Sequence, residues 1–235
     1  MGSPTFQFKQ FTIAHDRCAI KVGTDGVLLG AWAELPSTGS VLDAGTGTGL
    51  IALMLAQRSP FLRVTGIDVV PEAVEQAREN VAASPFADRV EVRLQSLQAL
   101  SATEARFSAI VCNPPFFTSS LLPPDADRSI ARHTGTLSFE ELATSSARLL
   151  TEHGTLSVIL PFDAFDTFRL LCFARGLLVK RSRSVQGTAR KLPKRVLATF
   201  VKGEADWVQE KPLILNHGNC RTDDYTALTR DFYLW

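Results

Sequence analysis

Ser40-Val41-Leu42-Asp43-Ala44-Gly45-Thr46-Gly47-Thr48-Gly49-Leu50 is the stretch from which the fold is read. It opens on apolar, strand-forming residues, turns through three glycines, and runs into a helical segment over residues 51–58. Glycines at alternate positions permit positive φ and let another group approach the backbone closely. The helix that follows presents its first N–H groups outward, where they can receive a negative group. A purely structural tight turn would use the same glycines, so the turn alone decides nothing. Residues 63–68 then read as a second strand closing on Asp68, 19 residues after Gly49. From there a carboxylate can hydrogen-bond both hydroxyls of a ribose, and the two features together say more than either alone.

Working outward, residues 5–22 alternate loosely, as a hairpin or extended arm would. Thr24 is the expected N-cap of a short helix, with Asp25 in its first turn favoured by the helix dipole. Gly26 and Gly30 each cost that helix roughly 1 kcal/mol relative to Ala, which calls for a close approach by backbone or ligand. Pro71 opens a helix to about residue 83, and residues 89–95 and 107–112 read as strands. Ser138-Phe139-Glu140-Glu141 fits a capping box for a helix through residue 150. A strand over 154–160, a helix over 162–175 ended by Gly176, strands over 177–185 and 195–201, and a short helix from Thr222 complete the chain. In the 162–175 segment, Phe162, Phe165, Phe168 and Phe173 read as a buried helical face. Such strand–helix alternation predicts an α/β fold, a mostly parallel sheet with helices on both faces. The last strands lack a long helix between them, so an antiparallel edge strand is expected.

With 45% hydrophobic and 21% charged residues among 235, the composition suits one large domain or one domain with an appendage. The 25 Lys and Arg nearly balance 24 Asp and Glu, so overall charge selects no partner. The four cysteines are scattered without C-x-x-C spacing, which predicts neither disulfide framework nor metal site. The first residues show no long apolar core and no stretch approaches ~18 uninterrupted apolar residues. No signal peptide, no membrane span and a cytoplasmic location are therefore expected.

Asn113-Pro114-Pro115-Phe116-Phe117 ends the strand over 107–112 abruptly, because neither proline supplies an N–H to the ladder. Ligands of open α/β sheets bind beyond the carboxyl ends of the strands, so an amide and two rings are held where chemistry would sit. An ordinary loop exit would look the same in isolation.

Asp43-x-Gly45-x-Gly47-x-Gly49 resembles motif I of the Rossmann-like class I S-adenosylmethionine-dependent methyltransferases, whereas Leu50 departs from the dinucleotide fingerprint of a nicotinamide oxidoreductase. The resemblance implies a seven-stranded sheet, a ribose contact at Asp68 and a place for Asp43 near the amino-acid end of the cofactor. It puts Ser96 at the family's adenine-contact position, with Leu97 as apolar wall. Asn113-Pro114-Pro115-Phe116 resembles the N-P-P-[YF] motif of enzymes that methylate planar amines: adenine N6, cytosine N4 or glutamine N5. The Asn113 and Pro114 carbonyls would each accept an N–H of the amine, and Phe116 would stack on the flat substrate. His15-Asp16-Arg17-Cys18, residues 21–30, Arg132-His133-Thr134, Pro193-Lys194-Arg195 and residues 225–233 are similar to the bacterial YfiC-like family, which methylates adenine 37 of a valine tRNA at N6. That resemblance spans nearly the whole chain. It implies that the segment of Lys21, Thr24 and Asp25 closes over the cofactor, and that 1–235 is a single methyltransferase domain: an arm over 1–35, a core over 36–203 and an extension over 204–235.

Charge patterning agrees. Residues 180–202 hold Lys180, Arg181, Arg183, Arg190, Lys191, Lys194, Arg195 and Lys202 with no acid. Such a stretch is the footprint of a phosphate backbone, or else a solvated edge strand protected by charge. Lys191, Lys194 and Arg195, with Arg132 and His133 after the Asn-Pro-Pro loop, are the expected tRNA contacts, although His133 reads equally as a loop histidine bonded to backbone. Two readings stay open beside the tRNA enzyme: a glutamine-N5 methyltransferase acting on a release factor, and a catalytically silent RNA-binding module.

Overall fold

A sheet of seven long strands carries the molecule. The computed structural model describes residues 4–17, 22–103, 106–115 and 137–234. An antiparallel hairpin of β1 (Thr5–Gln7) and β2 (Thr12–Ala14) comes first, as the sequence suggests. Then follow α1 (Thr24–Trp32), β3 (Gly39–Ala44), α2 (Leu50–Arg58), β4 (Leu62–Asp68), α3 (Pro71–Ala82), β5 (Val90–Leu94) and β6 (Phe107–Cys112). The second half holds α4 (Phe139–Leu149), β7 (Leu150–Pro161), a 3-10 turn (Phe162–Ala164), α5 (Phe165–Phe173), β8 (Leu177–Gln186) and β9 (Arg195–Lys202). Four two-residue strands, β10 (Val208–Gln209), β11 (Leu213–Ile214), β12 (Asn216–His217) and β13 (Cys220–Arg221), precede α6 (Asp223–Thr229).

The long strands lie in the order β8-β9-β7-β6-β3-β4-β5, and β10 and β11 add short parallel pairings to β8. The antiparallel strand is not the outermost one. β9 runs antiparallel to both neighbours and fills the gap between β7 and β8. Burial gives the reason: residues 196–201 of β9 are buried without interruption, whereas β8 is only intermittently covered. A strand buried on both faces belongs inside a sheet.

Alternate residues feed two cores, one on each face. Val41, Val64, Ala109 and Val111 pack with α1, α2 and α3, while Leu42, Ile67, Ile110 and Val158 pack with α4 and α5. The glycines of α1 are explained by helix packing. A Cβ on Gly30 would stand 2.7 Å from Met54 Sδ, and one on Gly26 3.2 Å from Leu50 Cδ2. Thr24 is not the cap: it is the first residue of α1, and extended Gly23 holds the cap position without a side-chain bond. The capping box at Ser138 and Glu141 forms, and Thr222 caps α6 by accepting from Tyr225 N–H. The expected helix over 162–175 splits into the 3-10 turn and α5. Only Phe165 and Phe168 of its four phenylalanines are buried; Phe162 and Phe173 face solvent.

Among the described residues, no helix is long and apolar enough to cross a membrane.

Candidate active site

The carboxyl end of β3 builds one wall. Asp43 is fully buried, and its Oδ2 accepts from Thr46 Oγ1 at 2.6 Å and from Ala52 N–H at 3.0 Å. One oxygen thereby ties the turn to the first turn of α2, whose N–H groups otherwise lack partners. Burial pushes the Asp43 carboxyl up to about 7, against the pull of these two bonds and with a smaller upward push from Asp68. Its Oδ1 is buried without a hydrogen-bond partner.

Gly45, Gly47 and Gly49 have φ of 74°, 54° and 81°, a region L side chains rarely adopt. A Cβ on Gly45 or Gly47 would meet nothing within 4 Å, so these two border open space. Gly49 faces α3 instead: a Cβ there would lie in ordinary contact with Ala77 Cβ at 3.4 Å, so its left-handed φ is what favours glycine. β4 holds the turn in place. Gly45 and Thr46 N–H both donate to Ile67 O at 2.9 Å, and Gly47 N–H donates to Asp68 Oδ2 at 2.9 Å. Asp68 Oδ1 accepts from Val70 N–H, and each carboxylate oxygen keeps a second lone pair for another donor.

Beyond β6, Asn113 is partly exposed, Pro114 buried and Pro115 exposed. Cys112 is level with Ala44 in the sheet, so Asn113 emerges beside Gly45. Asn113 Oδ1 is likewise a buried acceptor without a partner. A cavity of about 530 Å³ joins these parts. Its walls include Thr24 and Asp25 from α1, Gly45 and Gly47, Asn113 with both prolines, and Arg195 from the start of β9. Arg195 Nε donates to Asp25 Oδ2 at 2.8 Å, which places the arginine in the cavity wall rather than on the open basic surface.

Several expected residues lie elsewhere. Asp43, Gly49, Asp68, Ser96 and Leu97 do not line this cavity. Ser96 Oγ accepts from Ala99 N–H, and Leu97 is buried in the core beside Leu100 and Ile67. Lys21, Phe116, Arg132 and His133 fall outside the described residues. Thr46, Thr48 and Ile51 line the cavity and were not singled out from the sequence. The spacing of Thr46 three residues after Asp43, between two glycines, was the available signal. Among the described residues, no three His, Cys, Asp or Glu side chains gather as they would around a metal ion.

The basic stretch is much reduced by folding. Lys180 and Arg181 pair with Glu34, Arg181 and Arg183 with Glu210, and Arg183 also with Asp224. The Arg181 guanidinium also lies 3.9 Å from the centre of the Trp32 ring. Lys202 donates to the carbonyls of Ala147 and Leu150. Arg190, Lys191 and Lys194, in the loop between β8 and β9, are exposed and form no ion pair among the described residues.

The profile of the methyltransferase small domain matches residues 20–161. The tRNA1(Val) (adenine(37)-N6)-methyltransferase of Phocaeicola vulgatus is 48% identical over 234 residues, covering 100% of this chain and 99% of that protein. The protein of the same name from Pseudoalteromonas translucida is 43% identical over 229 residues, covering 97% and 98%. Among solved structures, a predicted O-methyltransferase of Agrobacterium tumefaciens superimposes with a TM-score of 0.68 at 22% identity, over 88% of this chain and 96% of that one. N-methyltransferase NodS from Bradyrhizobium japonicum does so with 0.53 at 20% identity, over 75% and 93%. Both structures speak for the fold alone.

Proposed function

The chain belongs to the methyltransferase small-domain family, and from that premise we propose that it transfers a methyl group from S-adenosylmethionine to N6 of adenine 37 in a valine tRNA. Its full-length relatives bear that activity in their names. The observation that carries the reading is Asn113: a buried, unpartnered carbonyl oxygen at the cavity, followed by two prolines and next to an open glycine cradle.

The residues fit the cofactor. Gly45 and Gly47 leave room that a Cβ would fill, and Asp43 Oδ1 is a buried acceptor with no partner near the cradle. In this reading Asp68 uses its remaining lone pairs on the ribose hydroxyls, Asp43 stands toward the amino-acid end, and Thr24 and Asp25 wall the cavity with Lys21 closing over it. Ser96 and Leu97 stay assigned to the adenine side. When bound, S-adenosylmethionine supplies an electrophilic methyl group on a sulfonium.

The chain's own contribution is orientation. The exocyclic amine of adenine is a poor nucleophile because its lone pair is delocalised into the ring. Asn113 Oδ1 accepts one N–H and the Pro114 carbonyl the other, which turns the lone pair out of conjugation and toward the methyl group. Proline's fixed φ keeps that backbone carbonyl still. Phe116 stacks on the base, with Pro115 at the rim. In-line transfer then depends mainly on alignment, and the extra proton of the product leaves to water. Arg132, His133, Lys191 and Lys194 remain the proposed tRNA contacts, joined from the cavity wall by Arg195, which Asp25 holds there. We also place the enzyme in the cytoplasm, because its substrate is a tRNA, and read residues 1–235 as a single methyltransferase domain.

The test is incubation with labelled S-adenosylmethionine and unmodified tRNA transcripts, followed by nucleoside analysis. N6-methyladenosine at position 37 is expected; no label in RNA, or label only in a release factor, would overturn the reading. Asn113→Ala should lower single-turnover transfer by about 100-fold or more while cofactor affinity stays nearly unchanged.

A further inference from the structure

One exposed aromatic residue follows the carboxyl end of β7, beside the strand that supplies Arg195 to the cavity wall, and has no role in the chemistry above. Val158 of β7 is level with Cys112, the last residue of β6, and β7 continues three residues past that pairing to Pro161. Phe162 comes next. It is 46% exposed, although Phe165 and Phe168 of the same segment are buried. Pro161 is the register partner of Arg195, whose side chain lines the cavity, and Phe162 N–H donates to Lys194 O at 3.2 Å. The backbone of Phe162 is thus held against the end of the loop over 187–194, next to the residue that precedes Arg195 of the cavity wall. That loop carries Arg190, Lys191 and Lys194, exposed and without ion pairs among the described residues, and Leu192 at 86% exposure.

An exposed ring beside unpaired cations gains little for stability, because burial and charge pairing would each do better. The combination matches single-stranded RNA, whose phosphates seek cations and whose bases stack on aromatic faces. A target base must leave its stack to enter a closed site, which strips one face from its neighbour. We propose that Phe162 is a stacking platform for the unpaired nucleobase beside the target adenine, with Lys191 and Lys194 holding the adjoining phosphates. This rests on the tRNA methyltransferase reading. Phe162 is a positioning residue: it acts on the flanking nucleotide, away from the reacting atoms.

The experiment compares wild type with Phe162→Ala, Phe162→Leu and Phe162→Trp in steady-state methylation of a tRNA transcript. Cofactor affinity and thermal midpoint serve as controls of folding. Removing the ring should raise KM for tRNA by about ten-fold or more. The Leu variant should behave like Ala, since it keeps apolar area without a stacking face, and Trp should restore KM to within about three-fold. Cofactor affinity and melting should move little in all three. If wild type methylates tRNA and the Ala or Leu variant keeps the wild-type KM, the platform is overturned and the enzyme reading survives. If wild type places no methyl group in RNA, both fall together.

Discussion

Asp25 and Arg195, 170 positions apart in the chain, meet at 2.8 Å across the cavity wall. The pair joins the first turn of α1 to the first residue of β9, and each side chain is about a third exposed or less. A partly solvated pair of this kind adds only about 1 kcal/mol to stability. Asp25→Asn should therefore cost about that much in a urea melt while weakening cofactor binding several-fold, because it loosens the helix that walls the site. A melt that shifts strongly with unchanged cofactor affinity would make the pair purely structural.

Asp43 predicts a pH dependence. Its folded carboxyl is held up at about 7 by burial, above the ordinary value of 3.8. The stability it contributes in protonated form is fully present below about pH 4 and is lost as pH rises through 7, on the order of 4 kcal/mol. The folded protein thus binds the proton more tightly, and Asp43→Asn should flatten this part of the stability profile. A cationic cofactor prefers the ionised carboxylate, so its affinity should rise with pH up to about 7 and level off above. Calorimetry between pH 5.5 and 8 on both proteins checks the sign.

The three motif glycines should separate by readout. Gly45→Ala and Gly47→Ala place a Cβ in the open cradle at positive φ, and should lower cofactor affinity by ten-fold or more, with about 1 kcal/mol of strain. Gly49→Ala carries the same left-handed strain but points its Cβ at Ala77 of α3 rather than into the cradle, so it should lower the melting midpoint with little effect on affinity. Thermal melts and cofactor titrations on the three variants decide.

The cations of residues 180–202 should divide in the same way. Lys191→Ala with Lys194→Ala should weaken tRNA binding and reduce the slope of log affinity against log salt by about 1.4, two single-strand contacts' worth. Arg183→Ala, at a residue already paired with Glu210 and Asp224, should leave that slope alone and cost stability instead. Filter binding from low to moderate salt measures the slopes.

Part of the cavity wall was legible in the residues themselves. The glycines at 45 and 47 and the proline stop at Asn113 are local features, and local geometry follows from local sequence. Phe162 misled because its apolar character suggested the buried face that Phe165 and Phe168 do form. The helix breaks into a 3-10 turn at that point, and a break of one turn rotates a side chain off its face. Gly49 misled for a related reason: its left-handed φ is local, but whether the space beside it holds a ligand or a helix depends on α3.

By itself the sequence determined the order of the long strands and the helices, the left-handed turns and the abrupt end of β6. Each follows from φ preferences, capping and side-chain periodicity over a few residues. Only the tertiary structure decided that β9 enters the sheet between β7 and β8, that Arg195 turns into the cavity, and that few of the basic stretch's cations stay unpaired. Charge pairing acts through space. The acids that neutralise Lys180, Arg181, Arg183 and Arg195 come from Glu34, Glu210, Asp224 and Asp25, which packing alone brings near.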